Sequence, residues 1–361
     1  MSMAQQKPEI NELLKGYAGT TIPGAALMLI KNGKPVYVKN FGMANLEAQE
    51  TVGPLTSFRL ASVTKQFTAA SILMLVNEQK LTLDTRLTEA LPSFPLYGSM
   101  ITIRNLLNHT SGLPNYEKFV ADTAFNPQIL DKGVLDILIK LPSDTKLLFE
   151  PGSKFQYSNT GYALLSLIIE KYSGKPFNTF LKERIFKPLK MHFSVAYQQG
   201  MPNMLFRACG YTLVQGIYLQ KDQSSTSAVL GDGGIYSTTQ DLYKWDQSLY
   251  TEKLLPKALW EQAFSPTKLN NGELINYGFG WHLKTYENQK VVYHTGSTTS
   301  FRNIIYRIPS KKITLILLTN RNKPAEENMV ELADKHKQIY NGRILSKNTF
   351  RYCREMAGRS R

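Results

Sequence analysis

The sequence predicts an α+β protein: an antiparallel sheet flanked by N- and C-terminal helices, with a mostly helical domain inserted between the two halves of the sheet. Three observations carry this expectation. Strand-like apolar runs occur near both ends of the chain, at residues 24–41 and again beyond 275. Between them, Pro and Gly punctuate a series of short helical patterns. Helical patterns also border each group of strands, so both termini can complete one covered sheet, with a second lobe inserted. The expected division is 1–85 with 275–345 as the discontinuous sheet domain, 86–274 as the helical domain, and 346–361 as a loose basic tail. A cleft between lobes is a common place for an active site.

Taken in order, residues 8–18 place Ile10, Leu13 and Leu14 on one side of a short amphipathic helix. Two strands follow, Gly24 to Ile30 and Pro35 to Phe41, joined through Asn32-Gly33, the dipeptide that favours a two-residue hairpin. A strongly apolar helix then runs from Ser62 to Val76. Helical patterns recur at 103–108, 133–140, 160–172, 177–185 and 239–249, the last preceded by Thr238 as a cap with Asp241 in its first turn. Strands return at 277–283, 289–294, 301–308 and 312–318, and a helix over 325–340 follows Pro324. The segment beyond Leu345 has no apolar periodicity.

The 361 residues are 42% hydrophobic and 20% charged, ordinary for a globular protein with ample core. No run approaches the roughly 18 apolar residues of a membrane span. The first eight residues contain no hydrophobic segment. The sequence as written therefore reads as cytoplasmic, or as periplasmic or extracellular after removal of a leader. The net charge of +15 is scattered outside the tail, which holds six Lys/Arg from Arg343 onward against Glu355. With no zinc spacing, ribonucleoprotein motif or basic helix, nucleic-acid binding is not expected. A basic surface, or attraction to anionic polymers or membrane surfaces, accounts for the charge. Cys209 and Cys353 are too isolated to form a disulfide framework or a metal cluster, so no metal and no cofactor is expected.

Candidate chemistry begins at Ser62-Val63-Thr64-Lys65. A serine and a lysine three apart share a helical face, and a partly buried lysine can accept the serine proton. The spacing alone is weak, because Ser143 to Lys146 and Ser265 to Lys268 repeat it. Only the first opens a long apolar helix. Tyr157 and Asn159, two apart in the lead-in to another apolar helix, project to the same side of an extended segment. They suit a proton relay and a carbonyl holder, but taken alone they better suit a buried tyrosine and a helix cap. His294-Thr295-Gly296-Ser297 ends a strand, and a backbone N–H there could join that of Ser62 in an oxyanion hole.

In this order, Ser62-x-x-Lys65, Tyr157-x-Asn159 and His294-Thr295-Gly296 resemble the three motifs of the penicillin-recognising serine hydrolases. These include class C β-lactamases, D,D-peptidases, D-aminopeptidases and β-lactamase-fold esterases. The resemblance runs from about Pro23 to Tyr340 and is supported by Leu106 to Pro114, Glu150-Pro151-Gly152 and Gly233 to Thr238. It implies the β-lactamase/transpeptidase-like fold, with the site between sheet and helical insert. It also implies Ser62 as acylated nucleophile, with Lys65 as its base and Tyr157 as acid/base partner, either of which can take the serine proton in acylation. Asn159, His294, Thr295, Gly296 and Ser297 would hold substrate, with the N–H groups of Ser62 and Ser297 as oxyanion donors. The lack of Ser-Asp-Asn disfavours the class A arrangement with a separate glutamate base.

His294 departs from the pattern, since many members carry lysine there. A histidine is mostly neutral at pH 7 and pairs weakly with a carboxylate. The expected function is therefore metal-free acyl transfer on esters or amides through an acyl-enzyme. A weak class C-like β-lactamase or D,D-peptidase is the alternative, and a catalytically silent cell-wall-binding or scaffold protein is a third. The expected partner is a small ester, amide, peptide or β-lactam. His109, before Gly112 and Pro114, reads as structural.

Overall fold

A computed structural model describes residues 14–120, 128–142, 147–197, 201 and 204–340. Its centre is a six-stranded antiparallel sheet. The strands are β1 (Ala25–Lys31), β2 (Lys34–Phe41), β3 (His282–Tyr286), β4 (Gln289–Ser297), β5 (Arg302–Ile308) and β6 (Ile313–Thr319), in spatial order β3-β4-β5-β6-β1-β2. β1 lies between β2 and β6, with Ala25 opposite Thr319 and Lys31 opposite Ile313, so the two ends of the chain build one sheet. Asn32 and Gly33 take φ of 49° and 73°, the paired positive values that a two-residue primed turn requires.

Alternate residues of these strands enter two different cores. Ala26, Met28, Ile30, Ile305, Ile316 and Leu318 face one cluster, while Leu27, Leu29, Ile304, Tyr306, Leu315 and Leu317 face another. The second is closed by Leu14, Tyr17, Met329, Leu332 and Ala333. The C-terminal helix Glu326–Tyr340 therefore covers that face. At the N-terminus, Lys15–Tyr17 forms a 3₁₀ turn, and residues 8–13 of the expected helix lie outside the described residues. Burial on both faces is why β6 reads as an unbroken apolar run rather than an alternating one.

The apolar side chains of the other face are continuous with a core that three helices of the chain's interior share: α1 (Lys65–Asn77), α2 (Asp131–Ile139) and α3 (Asn159–Ser173). α1 is buried from Lys65 through Leu75, as expected of a helix apolar on all sides. A fourth helix, α4 (Thr239–Ser248), begins at Thr238, whose hydroxyl accepts from the Asp241 N–H at 3.1 Å, as the sequence predicts. Asp246 on α4 accepts from Arg307 at 2.6 Å and Thr314 at 2.8 Å, tying the helix to β5 and β6.

One strand differs from expectation. The apolar run from Tyr277 does not pair as a strand until His282. Gly280 has φ of 75°, and a Cβ there would sit 2.6 Å from the Lys65 carbonyl oxygen. The segment is a tight turn pressed against the start of α1, and instead of forming a ladder its Tyr277 packs against His109 and His282 while its Trp281 packs against Phe264. The basic tail beyond Leu345, the Ser143 to Lys146 match and Cys353 lie outside the described residues.

Candidate active site

Ser62 lies on a 3₁₀ turn, Ala61–Thr64, that runs directly into α1. Ala61 holds φ of 52°, a left-handed value that a Cβ-bearing residue adopts only under constraint. The constraint is visible: β4 presses on the turn so closely that a Cβ on Gly296 would lie 2.0 Å from the Leu60 carbonyl oxygen. The turn presents Ser62 to a cavity of about 270 Å³, which Asn159, Ser297, Glu117 and Asp232 also line.

Lys65 is fully buried one turn further on. Its Nζ donates to Ser62 Oγ at 3.0 Å, Asn159 Oδ1 at 2.8 Å and the Asp232 carbonyl at 2.9 Å. The last two partners can only accept. They fix two N–H bonds of a neutral amine and turn the remaining tetrahedral position, its lone pair, toward Ser62. The Asn159 amide is oriented in turn, because its Nδ2 donates to Glu117 Oε1 at 3.1 Å. The Tyr157 and Tyr162 rings lie 5.1 and 5.3 Å from Nζ, within cation–π range. This site can switch between an ammonium held by acceptors and rings, and an amine favoured by burial.

Tyr157 precedes α3 in extended backbone, half-buried, and its ring packs 4.2 Å from that of His109. Asn159 is the first residue of α3, so the lead-in delivers both side chains toward Lys65. His109 does more than fill space: its Nδ1 accepts the Ser158 N–H at 3.2 Å, which sets the backbone between Tyr157 and Asn159. Its Nε2 is buried among the Tyr157, Tyr162 and Tyr277 rings with no hydrogen-bond partner among the described residues.

At the opposite wall, Ser297 lines the cavity while Thr295 and Gly296 are buried behind it. His294 lies deeper than a substrate-contacting residue would. Its ring is 1% exposed, with Nε2 3.0 Å from Tyr277 Oη and Nδ1 2.6 Å from the Thr295 carbonyl. A carbonyl can only accept, so Nδ1 carries the proton and Nε2 accepts from the phenol. The expected substrate contact at His294 meets this burial: the ring lies in the wall beneath the cleft and not among the residues that line the cavity. The physical reason is that Tyr277 and His282, folded over it by the Gly280 turn, enclose the ring.

Sequence reasoning passed over Glu117, Asp232, Tyr277 and His282. Each is brought in from a different element, and no local pattern marks it. The one sequence signal for Asp232 is its place directly before the Gly233 to Thr238 stretch.

Three histidines gather around Lys65. Burial holds His109 and His294 well below the ordinary histidine range, aided by Lys65 and by His282. Burial, then Lys65, lowers His282 to about 4. Such groups are neutral when folded and charged when unfolded below pH 6.5, so their contribution to stability is present above 6.5 and lost as pH falls through 4. Burial raises Asp131 to about 6, which works in the opposite sense, favouring the fold as pH drops. His282→Gln should therefore reduce the acid sensitivity of unfolding by on the order of 2–3 kcal/mol between pH 7.5 and 4.5. Urea titrations at both pH values check this, and equal losses in wild type and variant would contradict it.

Among the described residues, no group of three His, Cys, Asp or Glu side chains is placed to hold a metal, and no helix is long and apolar enough to cross a membrane.

Comparison with known proteins agrees with this geometry. The family profile described as Beta-lactamase matches residues 10–337. A penicillin-binding protein of Bacillus subtilis is 34% identical over 324 residues, covering 86% of this chain and 71% of its own length. The flp protein of Staphylococcus aureus is 27% identical, over 89% of this chain and 63% of its own. Among solved structures, the octameric penicillin-binding protein homologue of Pyrococcus abyssi superposes with a TM-score of 0.79 at 27% identity, covering 95% of this chain and 78% of that one. The D-amino acid amidase of Ochrobactrum anthropi shares the fold at a TM-score of 0.77 and 24% identity, over 94% and 99% of the two chains. With the profile matched over nearly its whole length and the Ser62–Lys65–Asn159 cluster assembled beside an open cavity, the chain belongs to the β-lactamase family of serine hydrolases.

Proposed function

We propose that this hydrolase cleaves esters or amides through an acyl-enzyme on Ser62. In this reading Ser62 Oγ attacks the substrate carbonyl carbon as its proton passes to Lys65 Nζ. The tetrahedral intermediate collapses, expelling the alcohol or amine, which takes the proton back. Water then attacks the acyl-enzyme and releases the acid, with Lys65 again exchanging the proton. Tyr157 serves as acid/base partner, Asn159 orients Lys65 and holds the substrate carbonyl side, and the N–H groups of Ser62 and Ser297 receive the developing oxyanion. The observation that carries this reading is the donor set of Lys65, which aims the amine at Ser62.

The preference for esters and amides over carboxylate-bearing substrates is supported by the charges on the cavity wall. Arg59 spends its guanidinium on the carbonyls of Gly233 and Ser227 and on the Gln223 amide. Asp222 is paired with Arg207, and Glu117 is exposed at the mouth. With His294 neutral and enclosed, the wall disfavours a substrate anion. Penicillin-type or D-alanyl substrates form the second reading, favoured by the name of the Bacillus relative.

A fluorophosphonate should label the intact protein on Ser62, with labelling lost in Ser62→Ala; an unlabelled wild type would refute the nucleophile. A panel of p-nitrophenyl esters, D-amino amides and nitrocefin then separates the readings. Efficient nitrocefin turnover with negligible ester turnover would reverse their order.

A further inference from the structure

The cleft holds a carboxyl that the chemistry above does not use. Asp232 lines the cavity beside Ser62 and is only 6% exposed. Its Oδ2 accepts from Tyr116 Oη at 2.9 Å, while its own backbone carbonyl accepts from Lys65 Nζ at 2.9 Å. Tyr116 is itself fixed, 1% exposed, with its N–H donating to Thr160 Oγ1 at 2.8 Å at the start of α3. The residue thus touches Lys65 through one group and carries a titratable charge next to it on the other. None of the three motifs contains Asp232 or Tyr116.

We propose that the Asp232 carboxyl, held by Tyr116, is a positioning group that sets the pH at which Lys65 can accept the Ser62 proton. It rests on the reading of Lys65 as base, and it concerns when that base is available. An ionised carboxylate beside Lys65 favours the ammonium and withholds the base; a neutral carboxyl does not. The groups facing Asp232 are set against one another. Lys65 from α1 and the Tyr116 phenol favour the anion, whereas Glu117 beside Tyr116 and Asp131 on α2 oppose it. Arg59 reaches the neighbouring Gly233 carbonyl, and Tyr162 on α3 turns its hydroxyl away to the Leu107 carbonyl. Burial outweighs the attraction of Lys65 and raises the carboxyl to about 7.

The test is the pH dependence of Ser62 labelling by a fluorophosphonate in otherwise intact protein. In wild type the ascending limb reports Lys65 losing its proton. Asp232→Asn removes the charge but keeps the shape, so the limb should move to lower pH by about one unit, or about tenfold faster labelling at a fixed pH on the limb. Tyr116→Phe removes the donor that stabilises the anion and should move the limb the same way by less. Combined with Asp232→Asn it should add nothing. A residue that only supports the fold would scale the rate at every pH and leave the midpoint in place. An unmoved midpoint in both single variants, with Ser62 still labelled, would overturn the inference while leaving the nucleophile assignment intact. Failure of wild type to label would instead remove the assignment on which the inference rests. If Asp232→Asn does not fold, Tyr116→Phe alone decides the matter.

Discussion

Lys65→Ala is expected to lower kcat/KM toward any ester substrate by roughly 10³-fold or more, with acylation of Ser62 falling by the same factor. An alanine leaves the Ser62 hydroxyl without the amine that lies 3.0 Å from it, and a serine at its ordinary acidity is a poor nucleophile at pH 7. The loss extends beyond the base. Removal of Nζ leaves Asn159 Oδ1 and the Asp232 carbonyl without the donor they now share, at about 1–3 kcal/mol for each buried acceptor left unsatisfied. The variant should therefore also melt at lower temperature. Lys65→Arg discriminates between the two effects. Its guanidinium can supply donors and charge but cannot give up its proton, so it should recover stability without recovering rate. Steady-state kinetics on a p-nitrophenyl ester, intact-protein mass spectrometry of the acyl-enzyme and a thermal melt are sufficient measurements. Retention of the wild-type rate within tenfold by Lys65→Ala would exclude Lys65 as the base.

The second large effect is expected at Gly296→Ala. The new Cβ would lie 2.0 Å from the Leu60 carbonyl oxygen, 3.2 Å from the Leu60 carbonyl carbon and 3.3 Å from the Ala61 Cβ. Backbone cannot swing aside as a flexible side chain can, so β4 and the Ser62 turn must separate by about an ångström to restore van der Waals distance. Ser297, the next residue on β4, moves with the strand, and with it the proposed second oxyanion donor. A displacement of that size is expected to cost about 10²-fold in kcat/KM, together with about 1–3 kcal/mol of stability from overpacking. Gly174→Ala is the matched control. That glycine has φ of 69° and open space around it, so an alanine there bears backbone strain without approaching the site. Its activity should stay near wild type while its stability falls modestly. A Gly296→Ala enzyme with unchanged kcat/KM would show that the close approach of β4 to the turn is not needed for catalysis.

Much of this architecture is legible in the chain. The β1–β2 hairpin follows from Asn32-Gly33, because few residues other than Asn and Gly tolerate the positive φ that both turn positions require. The strands Arg302–Ile308 and Ile313–Thr319 and the helix at Lys65–Asn77 follow from continuous apolar runs of the right length. The exception, residues 277–281, shows the limit of such reasoning. An aromatic, apolar stretch looks like a strand, but Gly280 lets it fold tightly onto the backbone of Lys65, a contact from more than two hundred residues away.

The site divides in the same way. The spacing of Ser62 and Lys65 determined their proximity, because three residues make about one helical turn whatever surrounds it. The two-residue spacing likewise predicted that Tyr157 and Asn159 approach from one side, and both reach Lys65. What only the tertiary structure decided is the electrical character of the cleft. Full enclosure of His294 beneath Tyr277, the Asn159–Glu117 contact and the placement of Asp232 against Lys65 all join segments remote in sequence. Desolvation and charge proximity depend on which neighbours fold around a group, and those neighbours come from segments that no local pattern links.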